Sequence, residues 1–218
     1  MKKYWAEFLG TFILVFVGTG AIMIENITGN VTPLGVGLSF GLVVMAIIYS
    51  IGDISGAHIN PAVTIAFWIA KKSPGKEVIP YIVFQISGAI LASAVLFYIL
   101  PESKTMGETL VKDGNWLQSF ILEFILTFIL MFVILNVSSG SKETGIMAGI
   151  AIGSVVAFEA IFAGPISGAS MNPARSIAPA IFGDMSFLWI YIVATILGAI
   201  LSVFTCKLIQ SEDCCKDC

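Results

Sequence analysis

The chain carries one short motif twice, in equivalent positions of two related halves. Residues 54–62 read ISGAHINPA and return 112 positions later, at residues 166–174, as ISGASMNPA, with seven of the nine residues identical. Other segments repeat at offsets of 110 to 116, among them Glu7-Phe8 with Glu123-Phe124. A repeat of this length limits the chain to folds that are built from two copies of one unit.

The composition places this repeated unit in a membrane. Hydrophobic residues make up 57% of the chain and charged residues 11%, against roughly 25% charged residues in a soluble domain. Most of the uncharged runs are close to the ~20 residues that a helix needs to cross hydrocarbon. We therefore expect an all-α membrane protein with six transmembrane helices, whose uncharged runs are 8–24, 27–52, 78–100, 124–141, 144–158 and 185–206.

Three spans in each half give the two halves opposite directions across the membrane, so the repeats are expected to be inverted. We interpret residues 1–210 as a single domain, with repeat one at about 4–100 and repeat two at about 116–208. A short tail, 211–218, follows.

Lysine distribution predicts that both termini lie on the cytoplasmic side of the plasma membrane. Positively charged residues are enriched in cytoplasmic connections, and here the opposite connections carry only Lys104 and Lys112. The lysines on the cytoplasmic side are Lys2, Lys3, Lys71, Lys72, Lys76, Lys142, Lys207 and Lys216.

Two further apolar stretches, residues 60–70 and 172–182, follow the repeated motif and are too short to span a bilayer. We expect them to be re-entrant half-helices, each with asparagine as the N-cap and proline at the first helical position. Inverted symmetry brings their N-termini together near the membrane midplane. The two triplets that start them are Asn60-Pro61-Ala62 and Asn172-Pro173-Ala174.

The backbone before each half-helix would be non-helical at membrane depth, which is tolerated only where it lines a water-filled cavity. We therefore expect a pore with main-chain carbonyls along its wall and the two asparagine amides at its midpoint. The residues that would supply these carbonyls are Gly56, Ala57, His58, Ile59, Gly168, Ser170 and Met171.

Paired Asn-Pro-Ala triplets, each preceded by Ser-Gly-Ala and the second followed by Arg175, resemble the aquaporin family of major intrinsic proteins. The resemblance runs from Glu7 to about Leu208. Within the family, the segment SGASMNPARS at residues 167–176, which follows Ala163-Gly164-Pro165, resembles the nodulin-like and microbial aquaglyceroporin-type branches. It implies a passive channel for water and small uncharged solutes that excludes protons and ions. It also implies a homotetramer in the lipid bilayer with one pore per subunit, no enzymatic activity, no cofactor and no nucleic-acid partner.

Aligned by distance from the two asparagines, the selectivity ring of that family falls on Phe40, Ala160, Ala169 and Arg175. Water-selective relatives have a histidine at the position of Ala160, so the ring here is expected to be wider and half apolar. Such a ring suits glycerol, urea or a neutral metalloid hydroxide such as arsenous acid. The alternative is a strictly water-selective pore in which Ala160 only packs against a bulky neighbour. Arg175, the only arginine, is expected to repel cations.

Several other residues have weaker interpretations. In the resembling family, carboxylates at Glu7 and Glu123 brace the re-entrant loops. His58, the only histidine, could gate the pore by protonation or form a structural hydrogen bond. Asp53 and Glu159 have no assigned role. The tail thiols could hold a soft metal, although incidental cysteines are the preferred interpretation; they are Cys214, Cys215 and Cys218.

Two other functional classes are disfavoured. Secondary carriers also use inverted repeats and half-helices, but they usually place coupling carboxylates or ion sites at the midplane, and this chain has only the bracing glutamates there. An intramembrane protease would need Ser170 beside a histidine. His58 occupies the repeat-equivalent position, so inversion puts the two residues on opposite sides of the midplane.

Overall fold

The computed structural model describes residues 1–138 and 142–209. Within these residues, six helices are long and apolar enough to cross a membrane, whereas α3 and α7 have only 9 and 10 residues. The predicted all-α class, with six spans and two half-helices in two inverted repeats, is confirmed. The helices are α1 Lys2–Thr28, α2 Thr32–Ser55, α3 Pro61–Ile69, α4 Gly75–Ile99, α5 Trp116–Val137, α6 Lys142–Ser167, α7 Pro173–Phe182 and α8 Leu188–Ile209.

Helices α1, α4, α5 and α6 are longer than the corresponding uncharged runs because they include charged residues. Helix α1 continues through Glu25 to Thr28 and is terminated by Gly29, whose φ of 67° is left-handed. Glu25 has a structural use there, since its Oε2 accepts hydrogen bonds from the backbone N–H groups of Val31 and Thr32 at 2.7 and 2.8 Å. The carboxylate thus satisfies the free donors at the start of α2.

Glycines bring the long helices into backbone contact. A Cβ on Gly88 of α4 would lie 2.1 Å from the carbonyl oxygen of Phe8 on α1, and one on Gly198 of α8 would lie 2.2 Å from that of Phe124 on α5. The two contacts are equivalent in the repeat. They pack α1 against α4 in one half and α5 against α8 in the other, as small residues do between membrane helices.

The two halves meet where α2 crosses α6. A Cβ on Gly41 would lie 2.5 Å from the Gly153 carbonyl oxygen, and one on Gly153 would lie 2.6 Å from that of Gly41. Both glycines belong to repeated Gly-x-x-x-Gly pairs, Gly37/Gly41 and Gly149/Gly153, and such small residues allow membrane helices to pack closely. A pore between the halves is therefore bounded on this side by a tight helix crossing.

The half-helices interlock the two repeats. Ala174 and Ala178 of α7, in the second half, pack with Val15, Ala89 and Ala92 of α1 and α4, in the first half. All five side chains are fully buried. Each asparagine N-cap prediction is also confirmed, since Asn60 and Asn172 accept backbone hydrogen bonds from Ala62 and Ala174 at 2.9 and 3.0 Å.

We predict that Gly41→Ala lowers the free energy of unfolding by about 1–3 kcal/mol, because the added methyl overlaps backbone atoms of α6 that cannot move aside separately. Thermal unfolding of the purified protein in detergent measures the change. Gly52→Ala is the matched control, since it makes the same replacement in α2 with no atom within 4 Å of the new Cβ. Equal melting temperatures for the two variants would contradict the packing described.

Candidate functional site

A cavity of about 140 Å³ lies between the two halves and reaches both asparagines. A single water needs roughly 10–15 Å³, so this cavity has room for several. A second cavity of about 560 Å³ lies on the other side of Arg175. Phe40 and Arg175 line both cavities, and they therefore form the boundary between them.

The structure brings the four residues of the predicted ring to this boundary. Ala169 lines the cavity that contains the asparagines, and Ala160 lines the larger one. The guanidinium carbon of Arg175 lies 5.2 Å from the centroid of the Phe40 ring. The boundary thus has one aromatic wall, one cationic wall and two methyl groups.

Arg175 is held by a loop residue that the sequence did not indicate. Its Nη1 donates to the carbonyl oxygen of Gly107 at 2.8 Å, although the side chain is only 2% exposed. Within the described residues, Nε and Nη2 have no acceptor. An unpaired buried donor costs free energy. These two N–H groups therefore favour an acceptor, such as the oxygen of a water or of a solute, between Arg175 and Phe40.

The loop that carries Gly107 is fixed to α7 at a second point. Thr109 Oγ1 donates to Ser176 Oγ at 2.9 Å, and Ser176 Oγ lies 2.5 Å from Ser170 Oγ. A Cβ on Gly168 would lie 3.0 Å from the Thr109 side chain. No local pattern in residues 100–115 signals these contacts, which arise only when the loop folds over the end of the bundle.

The two asparagines are linked reciprocally across the repeat. Asn60 Nδ2 donates to the Met171 carbonyl oxygen at 2.7 Å, and Asn172 Nδ2 donates to the Ile59 carbonyl oxygen at 2.8 Å. Their side-chain oxygens cap α3 and α7. Each amide nitrogen carries two hydrogens, so one N–H of each remains for the cavity that both residues line.

The non-helical segments before the half-helices have a strained backbone. Positive φ angles occur at the non-glycine residues Ala57, Ile59, Ala169 and Met171, with values of 48°, 44°, 41° and 54°. Such conformations cost of order 1–3 kcal/mol each unless the surroundings enforce them. Each of the seven residues predicted to supply carbonyls to the pore wall lines a cavity: Gly168 lines the larger one, and the other six line the one that contains the asparagines.

Glu7 and Glu123 hold the two segments before the half-helices in these strained conformations. Glu7 accepts from the backbone N–H groups of His58 and Ile59 at 2.9 and 2.7 Å, and Glu123 accepts from those of Ser170 and Met171, each at 2.9 Å. Both carboxylates are fully buried. By turning consecutive N–H groups toward α1 and α5, they leave the opposite side of each segment to the pore.

His58 is half-buried, and its ring packs on Phe67 and Tyr81 with centroid separations of 4.7 and 4.9 Å. Its Nδ1 lies 3.2 Å from Thr64 Oγ1. The structural hydrogen bond considered from the sequence is therefore present, and the residue also lines the asparagine cavity. Gating by His58 has no separate support in these contacts.

Among the remaining candidates, Asp53 and Glu159 line neither cavity. Asp53 is exposed near the end of α2. Glu159 is 1% exposed, lines neither cavity and has no hydrogen-bond partner within the described residues. Cys214, Cys215 and Cys218 lie outside the described residues, and the described part of the chain contains no group of side chains suited to a metal ion.

The repeat equivalents of the ring residues form a second set at the other end of the pore. These equivalents of Phe40, Ala160, Ala169 and Arg175 are Ile152, Ile48, Ala57 and Val63. All four line the asparagine cavity, on the side of His58. Where one end of the pore has an aromatic ring and a cation, the other end has only aliphatic side chains.

Comparison with known proteins agrees with this geometry. The family model described as Major intrinsic protein matches residues 1–206. Among curated relatives, Aquaporin NIP3-1 of Arabidopsis thaliana is 46% identical over 97% of this chain and 68% of its own length. Nodulin-26 of Glycine max is 40% identical, over 98% of this chain and 79% of its own length.

A solved structure shares the fold. The aquaglyceroporin from Plasmodium falciparum superposes with a TM-score of 0.83 at 25% identity, covering 95% of this chain and 96% of that one. Fold and site define a multi-pass membrane channel. The chain belongs to the major intrinsic protein family, whose members are channels and not enzymes.

We predict that Glu123→Gln destabilises the protein by about 1–3 kcal/mol, because an amide cannot accept all the hydrogen bonds that the carboxylate accepts and leaves a buried N–H unpaired. Thermal unfolding in detergent measures this loss. Glu102→Gln makes the same change at an exposed carboxylate and is expected to have no effect. A melting temperature for Glu123→Gln equal to that of the control would show that the carboxylate does not brace the loop.

Proposed function

We propose that this chain is a passive pore for water and for small uncharged solutes, with glycerol, urea or a neutral metalloid hydroxide as candidates, and that it excludes protons and ions. The observation that carries the proposal is the boundary at Phe40 and Arg175, to which Ala160 and Ala169 contribute only methyl groups. A polyol or hydroxide needs both an apolar wall and hydrogen-bond donors, and this boundary has both.

In this proposal, a solute that crosses the pore exchanges hydrogen bonds with successive polar groups of the wall. At the boundary, Nε and Nη2 of Arg175 donate to a hydroxyl oxygen while the carbon edge of the solute lies against Phe40. At the midpoint, the remaining amide hydrogens of Asn60 and Asn172 donate to the solute in turn. Between these points, the main-chain carbonyls of the two loops accept hydrogen bonds from it.

Charge exclusion has two sources in this proposal. The N-termini of α3 and α7 face each other at the asparagines, and each presents the positive end of a helix dipole. Arg175 adds a full positive charge at the boundary. A cation would therefore meet positive potential at both narrow points, whereas a neutral solute would not.

The topology and assembly are parts of the same proposal. The lysine distribution supports cytoplasmic termini, and we assign the channel to the plasma membrane. Lys3 of α1 pairs with Glu77 of α4, which agrees with the starts of both helices lying on one side. The resemblance to the aquaporin family implies a homotetramer with a pore in each subunit, and this single chain encloses the asparagine cavity by itself.

A strictly water-selective pore is the main alternative, and one experiment distinguishes the two. The purified protein is reconstituted in liposomes, and light scattering follows shrinkage or swelling under gradients of water, glycerol and urea, with arsenite uptake measured alongside. Flux of at least one solute without ion dependence supports the proposal and disfavours a carrier. If glycerol, urea and arsenite are all excluded, the protein is a water channel with an unusual ring.

We predict that Ala160→His reduces glycerol permeability relative to water by about ten- to a hundredfold. The imidazole fills space opposite Phe40 and leaves solute groups mismatched, at a cost on the order of 1–3 kcal/mol. The paired permeabilities in liposomes measure the ratio. Ala160→Val separates the effect of lost space from the effect of an added polar edge, because valine adds bulk only. It is expected to lower the ratio of glycerol to water permeability by a smaller factor. An unchanged ratio in Ala160→His would remove Ala160 from the ring.

We predict that Arg175→Val raises the proton or cation leak on the order of tenfold or more. A unit charge at ~5.5 Å contributes about 3 kcal/mol in a medium of effective dielectric constant ~20, and the helix dipoles retain part of the barrier. A pH-sensitive dye inside liposomes measures the leak. Arg175→Lys keeps the charge and is the control. Equal leaks in wild type and Arg175→Val would mean that Arg175 is not a barrier.

A further inference from the structure

We propose that Gly18 of α1, which lines neither cavity, sets the width of the ring by making room for the side chain of Phe40. This inference rests on the proposed role of Phe40 as a wall of the ring. It assigns solute selectivity to a residue that touches no solute and that lies behind the wall.

Among the glycines of the described residues, Gly18 is the one at which an added Cβ would come closest to a side chain. A Cβ on Gly18 would lie 2.1 Å from Cε1 of Phe40, and 2.5 Å from both Cδ1 and Cζ. Real Cβ contacts essentially never come below 3.0 Å. One edge of the ring therefore occupies the volume that any other residue at position 18 would need.

The opposite edge of the ring is directed away from α1. Phe40 lines both cavities, and its ring centroid lies 5.2 Å from the guanidinium carbon of Arg175. A methyl group at position 18 would displace the ring from α1, and the space on that side is the lumen. The gap between Phe40 and Arg175 would then narrow.

Helix α1 itself has little freedom to retreat from such a methyl group. Next to Gly18, the Thr19 backbone is in contact with the loop, since a Cβ on Gly107 would lie 2.9 Å from the Thr19 carbonyl oxygen. Further along α1, the Phe8 carbonyl is in close contact with Gly88 of α4. With α1 held on these sides, the Phe40 side chain is the part that moves.

The second repeat gives an independent argument. The alignment of Leu14 with Leu130 makes Ile134 the equivalent of Gly18, and Ile152 is the equivalent of Phe40. Both isoleucines line the pore. The first half thus has a glycine and a phenylalanine where the second half has two isoleucines. The small residue compensates for the large one, and a packed interior tolerates exchanges that conserve volume in this way.

The test compares four variants in liposomes with the wild type: Gly18→Ala, Phe40→Ala, the double variant Gly18→Ala/Phe40→Ala, and Gly20→Ala. Gly20 is the matched control, because it lies on the same helix and its new Cβ would touch only the flexible end of Leu96, at 3.2 Å. Permeabilities to water, glycerol and urea are measured by light scattering for each protein.

Gly18→Ala is expected to lower the permeability ratio of the largest conducted solute to water on the order of tenfold, the effect of one methyl group in a tight pocket. If the wild type conducts water alone, the expected result is a lower water permeability. Gly20→Ala is expected to match the wild type. In the Phe40→Ala background, Gly18→Ala is expected to change nothing, because the ring that it displaces is absent.

The outcomes separate the inference from the proposal on which it rests. If Phe40→Ala leaves the selectivity unchanged, Phe40 is not a wall of the ring and the proposed function must be revised. If Phe40→Ala changes selectivity but Gly18→Ala does not, or if Gly18→Ala acts equally without the ring, only the inference about Gly18 is overturned. Should Gly18→Ala fail to fold, the double variant is expected to fold again, and its failure would also overturn the inference.

Discussion

The reciprocal hydrogen bonds of Asn60 and Asn172 hold the centre of the molecule together. Each side chain caps its own half-helix through Oδ1 and donates through Nδ2 to the carbonyl before the other asparagine. The two helix N-termini that face each other carry like partial charges and would otherwise separate. Aspartate caps a helix equally well but, when ionised, has no N–H to donate. Only an amide side chain performs both tasks and still has a donor left for the pore.

The features that build the scaffold occur in both halves of the repeat, whereas the proposed ring residues differ from their repeat equivalents. Features that support the pore, such as the bracing glutamates and the glycine contacts between α1 and α4 and between α5 and α8, occur in both halves. The ring does not occur twice, since the repeat equivalents of Phe40 and Arg175 are Ile152 and Val63. A duplicated unit would give both mouths the same chemistry, so in the proposed function this asymmetry assigns selectivity to one end of the pore.

Local signals in the sequence were sufficient for the elements but not for the wall around Arg175. Apolar runs, asparagine caps and the spacing of the triplets predicted all six spans and both half-helices, because each depends on neighbouring residues. Helix ends were less accurate, since Glu25 extends α1 beyond its uncharged run. Gly107 and Gly18 could not be found in this way. Their contacts, to Arg175 and Phe40, join residues that are distant in the chain and depend on side-chain positions in the folded bundle.

In the proposed function, exclusion of charge and choice among neutral solutes have different physical origins. The midplane barrier comes from backbone dipoles, so it follows from the two half-helices whatever side chains line the rest of the pore. The choice of solute depends on a few side chains at one end and on the space behind them. Substitution at the Phe40, Ala160 or Gly18 positions can therefore change the solute without weakening the dipoles. For this reason the fold identifies a channel, whereas the solute has to be inferred from the ring and from the packing of α1 behind it.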